Sequence, residues 1–345
     1  MKIKITEVLI IILSAGAIFS AQEGARAETT TNLFTQPSVK IYNPDGSTNF
    51  FVPPANNMIP AEGQFAMVLW QANPLPGSNG LLLRDDNFNA GKYTGFYSGG
   101  KLGFNPSATE TSEVEMFGTT VGAYLNSADI AGGNAGGDNR SKFMMTPTYT
   151  FPQVPGPGQS GQEPIFQNLS SGLQVQLELQ VPTAESVGGA KCSTYASVDA
   201  LFVQKDNNRF QVTYAVGLYS SNYGNNSPPI NGAMDPYGAD FIIETRLDSE
   251  SSDYVTLNNG TTTDQNQPWL GFKKFSYTVT RENFKNALIA VGGAYKGSQD
   301  PSDYVLKSIH LNAEMQFAGC ANGAPVRLGW SMENLVVNWL NNLTP

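Results

Sequence analysis

The sequence predicts an all-β chain, a two-sheet antiparallel sandwich of jelly-roll type with one short helix. Three observations carry that expectation. Segment after segment of the C-terminal half alternates apolar and polar residues with period two, the pattern of strands with one buried face. Apolar residues make up 40% of the 345-residue chain and aromatic residues 11%, ample for a packed core. Charged residues contribute only 14%, against abundant Gly, Asn, Ser, Thr and Gln, a balance typical of loop-rich β proteins with neutral polar surfaces. Antiparallel sheets with one polar face must stack their apolar faces together, and a sandwich does so.

The first 27 residues read as a cleaved secretory signal. Lys2 and Lys4 precede an apolar run from Val8 to Phe19, and the small-x-small triplet Ala25-Arg26-Ala27 follows. The run is about 12 residues, short of the roughly 20 that span a bilayer. A secreted, periplasmic or cell-surface location is expected, with no membrane insertion after cleavage. Without this segment the net charge is about −10, counting the single His310 as neutral. That sign excludes nucleic acid and anionic membranes as natural partners, since both need dense Lys and Arg. Export also places Cys192 and Cys320 where thiols oxidise, so one disulfide is expected.

Residues 28–151 hold short strand candidates at 64–70, 79–84, 92–98 and 100–104, read either as a smaller β domain or as further strands of the same sandwich. The stretch 152–163 (PQVPGPGQSGQE after Phe151) is a Pro/Gly-rich linker or long loop, and 164–345 is the C-terminal sandwich. There Leu173, Val175, Leu177 and Leu179 share one face of a strand and Gln174, Gln176, Glu178 and Gln180 the other. Phe210, Val212, Tyr214, Val216 and Leu218 form a second apolar row, and Ile309, Leu311, Ala313, Met315 and Phe317 a third. Segments 194–204, 240–248, 270–279 and 326–340 read as further strands with weaker alternation. One helix interrupts the series: Thr280 can cap it, Phe284, Leu288 and Val291 share a face, and Gly292-Gly293 can end it.

A chain with one histidine leaves little room for nucleophilic triads or zinc sites, and it carries no G-x-S-x-G elbow, P-loop or dinucleotide fingerprint in a strand-to-helix setting. Carboxylate chemistry remains. Ser308, His310, Asn312, Glu314 and Gln316 form the polar row of one strand, and Gln174, Gln176, Glu178 and Gln180 that of another. If both line one concave sheet, they make a groove of amides and carboxylates able to hydrogen-bond sugar hydroxyls. Two carboxyls about 5 to 10 Å apart there could work as acid and base on a glycosidic bond. Candidate catalytic residues are Glu314, Glu178, Glu244 and His310. Candidate ligand-binding residues are Asn312, Gln316, Gln176 and Asp199, with Trp269, Trp70 and Trp330 as platforms for a pyranose ring. The competing expectation is that these rows are ordinary solvated faces and the tryptophans core.

No organic cofactor is expected. Calcium is carried as a candidate at Asp206-Asn207-Asn208, at Asp235 with Asp240, and at Asp300 with Asp303, although Asp and Asn in turns usually serve backbone hydrogen bonds.

The pattern of strands resembles the broad concanavalin-like group of secreted sandwiches. It lacks the E-x-D-x-x-E strand motif of laminarinase-type glycosidases and the R-x-E-x-R and Q-I-H signatures of sandwich-fold alginate lyases; the triplet here is Ser308-Ile309-His310. Three functions follow in order. The first is a secreted carbohydrate-binding protein for a neutral polysaccharide or glycan. The second is a polysaccharide hydrolase or lyase using paired carboxylates, and the third a structural or interaction protein of the cell surface.

Overall fold

A computed structural model describes residues 30–35, 65–71, 97–98, 101–102, 113–117, 120–126, 142–151, 165–187, 192–206, 210–222, 228–234, 240–260, 266–316, 320 and 326–341. The expected signal segment 1–27, the stretch 152–163 and the strand candidate 79–84 lie outside these residues. The first strands are β1 (Thr30–Thr35), β2 (Phe65–Gln71), β3 (Tyr97–Ser98), β4 (Lys101–Leu102), β5 (Glu113–Phe117), β6 (Thr120–Asn126) and β7 (Lys142–Thr150). The C-terminal region supplies β8 (Gly172–Glu185), β9 (Ser193–Gln204), β10 (Gln211–Ser220), β11 (Ile230–Met234), β12 (Asp240–Arg246), β13 (Thr256–Asn259) and β14 (Trp269–Thr280). The helix α1 (Arg281–Ala290), β15 (Tyr304–Gln316) and β16 (Arg327–Leu340) complete it.

These strands form the predicted two-sheet sandwich. The first sheet runs β13-β14-β8-β16-β6-β5, and β1 also pairs with β16. On β16, β6 opposes Arg327–Met332 while β1 opposes Val336–Leu340, so the two short strands lie end to end along one edge. The second sheet runs β11-β12-β10-β9-β15-β7-β2, and β3 pairs with β4 in a separate hairpin. Strands from residues 28–151 thus extend both sheets of the sandwich. One pairing departs from the antiparallel expectation: β10 and β12 are parallel from Gln211↔Asp240 to Gly217↔Arg246. The edge strand β11 pairs antiparallel with β12, and this reversal brings β12 back along β10 in the same direction.

The core lies where the two apolar faces meet. Leu173, Val175, Leu177 and Leu179 of the first sheet face Val198, Val212, Val216, Ile309 and Leu311 of the second within one buried cluster. Burying each such side chain is worth about 1.5–3 kcal/mol, and the dominant stabilisation of the sandwich comes from this layer. Helix α1 starts at Thr280, whose hydroxyl accepts from the Asn283 amide while the Asn283 side chain bonds back to the Thr280 backbone. It lays Phe284 against Phe166, Phe202, Tyr214 and Tyr304, ring centroids 4.8 to 5.5 Å apart, and so plugs one end of the core. Gly292, with φ +57°, follows its last turn.

Cys192 and Cys320 are joined, closing a loop of 128 residues. Cys192 immediately precedes β9 and Cys320 follows β15, so the bridge ties neighbouring ends of two adjacent central strands. No helix among the described residues is long and apolar enough to cross a membrane.

Candidate functional site

The two polar rows read from the sequence do not share a groove. Gln176 and Glu178 lie on β8 in the first sheet, whereas Ser308 to Gln316 lie on β15 in the second, and each row points away from the core between them. Alternation reports which residues share a face; it carries no information about which strands are neighbours. Glu178 pairs with Lys274 at 3.3 Å, and the exposed Gln176 donates to Gln174 Oε1 at 3.1 Å. Neither belongs to a site with Glu314.

The outer face of the second sheet is different. Cross-strand register sets His310 opposite Asp199, Asn312 opposite Ser197 and Glu314 opposite Tyr195. From Asp199 the same row continues through Ala215 on β10 to Glu244 on β12 and Asn231 on β11. Asp199, His310, Asn312, Glu314 and Glu244, all predicted site residues, therefore share one face across four adjacent strands, β15, β9, β10 and β12. Trp70 is aligned by backbone register with Met144, the other neighbour of Glu314.

This face is not an ordinary solvated surface. Asp199 and His310 are each 8% exposed, and Asn312 and Glu314 each 5%. Burial disfavours charge, and the two titratable neighbours respond in opposite directions. Desolvation, reinforced by the nearby Glu244 and Glu314 carboxyls, pushes Asp199 up to about 8 against the hydrogen bond from Ser197. Desolvation, with Lys307 adding repulsion, brings His310 down to about 4. At neutral pH the site therefore holds a protonated carboxyl beside a neutral imidazole. The hydroxyl of Ser197 donates to Asp199 Oδ1 at 2.5 Å, leaving Oδ2 as the oxygen to carry the acid proton. Ser308 Oγ and His310 Nε2 are 2.7 Å apart, and Gln316 Nε2 donates to Glu314 Oε1 at 2.9 Å. Among the described residues, Asn312 Oδ1 is buried without a hydrogen-bond partner. An amide oxygen left unpaired in this way costs about 1–3 kcal/mol, which a donor brought by a ligand would recover.

The tryptophans divide otherwise. Trp330 is 2% exposed within the core, which removes it as a ligand platform. Trp269, half-buried on β14 of the first sheet, packs edge-on to Tyr219 and donates to Leu179 O at 3.1 Å, with the Lys273 ammonium 4.5 Å above its ring. It belongs to the sheet opposite the polar face. Arg246, not read as a site residue, stands in register with Gly217 beside that face, but Asp248 and Glu250 hold its guanidinium. Ala215 was also missed. Its one sequence signal is a small residue at a position of β10 where alternation calls for a polar one.

Among the described residues no group of three His, Cys, Asp or Glu side chains is gathered to hold a metal ion. Asp300 caps a short 3-10 turn at Ser302 N and pairs with Arg281, and Asp303 accepts from Ser298 Oγ, so both serve the turn. Asn207, Asn208 and Asp235 lie outside the described residues.

Fold and site together define a β-sandwich with a buried acidic-amide patch on the outer face of one sheet. No protein-family model matches the sequence, and no curated protein matches it. Among solved structures, the chain is similar to a family 11 xylanase from Neocallimastix patriciarum, with 14% identity, a TM-score of 0.28, and coverage of 65% of this chain and 83% of that one. It is similar to the xyloglucanase domain of NopAA, a type three effector from Sinorhizobium fredii, with 12% identity, a TM-score of 0.28, and coverage of 66% and 90%. A family 12 glycoside hydrolase gives 10% identity, a TM-score of 0.31, and coverage of 67% and 87%. Likeness of this grade assigns no activity to the chain.

Proposed function

We propose that this protein binds a neutral polysaccharide along the outer face of its second sheet. The observation that carries the reading is the chemical mixture concentrated on β9 and β15: Ser197, Asp199, Ser308, His310, Asn312, Glu314 and Gln316. A sugar hydroxyl both donates and accepts, so a face that offers hydroxyls, amides, a neutral imidazole and a protonated carboxyl suits it on both counts. Arg246 is held by two acids and Glu244 and Glu314 add carboxyl groups, an arrangement that disfavours anionic ligands. A ligand hydroxyl donating to Asn312 Oδ1 would satisfy the unpaired atom.

Native affinity electrophoresis through gels containing hydroxyethylcellulose, mixed-linkage β-glucan, arabinoxylan or galactomannan tests the proposal. At least one polymer is expected to retard the protein. Asn312→Ala is expected to weaken that retardation by about 5- to 150-fold in affinity, the range for one buried hydrogen bond. Free migration through every gel would sink the reading and favour a structural role for the chain.

A further inference from the structure

We infer that Asp199 and Glu244 form an acid–base pair that cleaves the bound glycan with inversion at the anomeric carbon. The inference rests on the binding role proposed above and adds a reaction to it. Register fixes the geometry: Asp199 on β9 and Glu244 on β12 both oppose Ala215 on the intervening β10. Adjacent strands lie about 4.8 Å apart, so the two backbones are separated by roughly 10 Å. The side chain that β10 places between the carboxyls is the methyl group of Ala215. A gap of about 6.5–9.5 Å is the one that admits a water molecule beside the sugar, whereas about 5–5.5 Å suits attack by the carboxylate itself.

A cluster of acids is not by itself a site. The second, independent sign is Asn312, on the same face and opposite Ser197, the residue that bonds Asp199. Its amide oxygen is buried, unpartnered, and one strand from the acid. A substrate hydroxyl donating to it would hold the ring beside Asp199. Exposure along the row rises from Asp199 and Ala215 to a half-buried Glu244 and an exposed Asn231, so substrate approaches from the β11 side.

In the reaction, Asp199 Oδ2 gives its proton to the glycosidic oxygen as the bond from that oxygen to the anomeric carbon breaks. Glu244 takes a proton from a water whose oxygen bonds to the anomeric carbon from the opposite side. The products are a new reducing end of inverted configuration, an alcohol, an ionised Asp199 and a protonated Glu244; transfer of one proton through solvent restores the pair. The burial that keeps Asp199 protonated at neutral pH suits it to the acid role.

The test measures reducing ends released from each retarding polymer, with the first product followed by proton NMR before its anomers equilibrate. Release of the inverted anomer is expected. Asp199→Asn and Glu244→Gln should each lower kcat by about 10²- to 10⁴-fold, measured at saturating polymer. Asp199→Asn should still hydrolyse a dinitrophenyl glycoside, whose leaving group needs no proton, whereas Glu244→Gln should not. Glu178→Gln, on the other sheet, should match the parent in turnover and serves as the folding control. Retardation without any reducing ends would overturn the hydrolytic inference and leave the binding proposal standing. A retained anomer, or equal loss of both substrates in Asp199→Asn, would overturn the assigned roles. Absence of retardation is instead a failure of the binding proposal itself.

Discussion

Asp199 and His310 stand opposite each other on β9 and β15, and burial drives both toward neutrality. Their effects on stability have opposite signs. Asp199 titrates at about 8 when folded against 3.8 for the ordinary carboxyl, so between these values the native state holds a proton that the unfolded chain has lost. Stability from Asp199 is fully present below about pH 4 and is lost as pH rises through 8. His310 titrates at about 4 when folded against 6.5 ordinarily, so between those values the unfolded chain holds the extra proton. Its contribution is present above pH 6.5 and is lost as pH falls through 4. From pH 4 to 6.5 the two largely cancel; from 6.5 to 8 only the Asp199 loss remains, with a slope of up to about 1.4 kcal/mol per pH unit. Urea unfolding across pH should show this decline in the parent protein. Asp199→Asn should abolish it and leave a curve that rises to pH 6.5 and then stays flat. A variant that keeps the parent's decline above pH 6.5 would show that Asp199 is already ionised in the fold.

The disulfide acts at the level of elements, because it ties the ends of the two strands that carry most of the polar face. Closing 128 residues restricts the unfolded chain by about 4–5 kcal/mol in the chain-entropy model, an upper figure from which any native strain subtracts. The double variant Cys192→Ala with Cys320→Ala should therefore unfold at clearly lower temperature; an unchanged midpoint would mean that sheet pairing alone fixes these strand ends. Elements also differ in how plainly the sequence announces them. The period-two rows of β8, β10 and β15 were legible because each alternates an apolar core row with a row of polar or small residues, and Thr280 with Asn283 announced the helix start. β9 alternates weakly because its outer positions Leu201 and Val203 are buried as well as its core-facing Val198 and Phe202. The four- and five-residue edge strands β13 (TLNN) and β11 (INGAM) show too short an alternation to be seen. The polar row of β15 was legible for the same reason as its core row. Its partners were not, since Glu178 shares its pattern from another sheet while Asp199 and Glu244 join it only through register.

At the scale of the whole molecule, the two sheets raise the question of whether residues 164–345 can stand alone. That region supplies β13, β14, β8 and β16 of the first sheet and β11, β12, β10, β9 and β15 of the second, together with the helix that plugs the core. It ends at β16 on one side and β15 on the other, the two long strands on which the N-terminal strands pair. β6 and β1 cover the free edge of β16, and β7 covers that of β15. Without residues 28–151, edges of 14 and 13 residues would present unpaired backbone amides and carbonyls, on strands whose core-facing side chains are strongly apolar. Long uncovered edges of that kind recruit other chains. The region 164–345 expressed alone is therefore expected to self-associate in sedimentation velocity and to unfold below the chain that includes residues 28–151 in thermal denaturation. Adding residues 28–151 as a separate chain should reverse both effects, because β1 and β6 pair with β16 and β7 with β15, edges that the fragment retains. A fragment that stays monomeric and melts cooperatively at the parent's midpoint would show that the C-terminal strands hold the core unaided, and that the N-terminal strands are additions to a sandwich already complete.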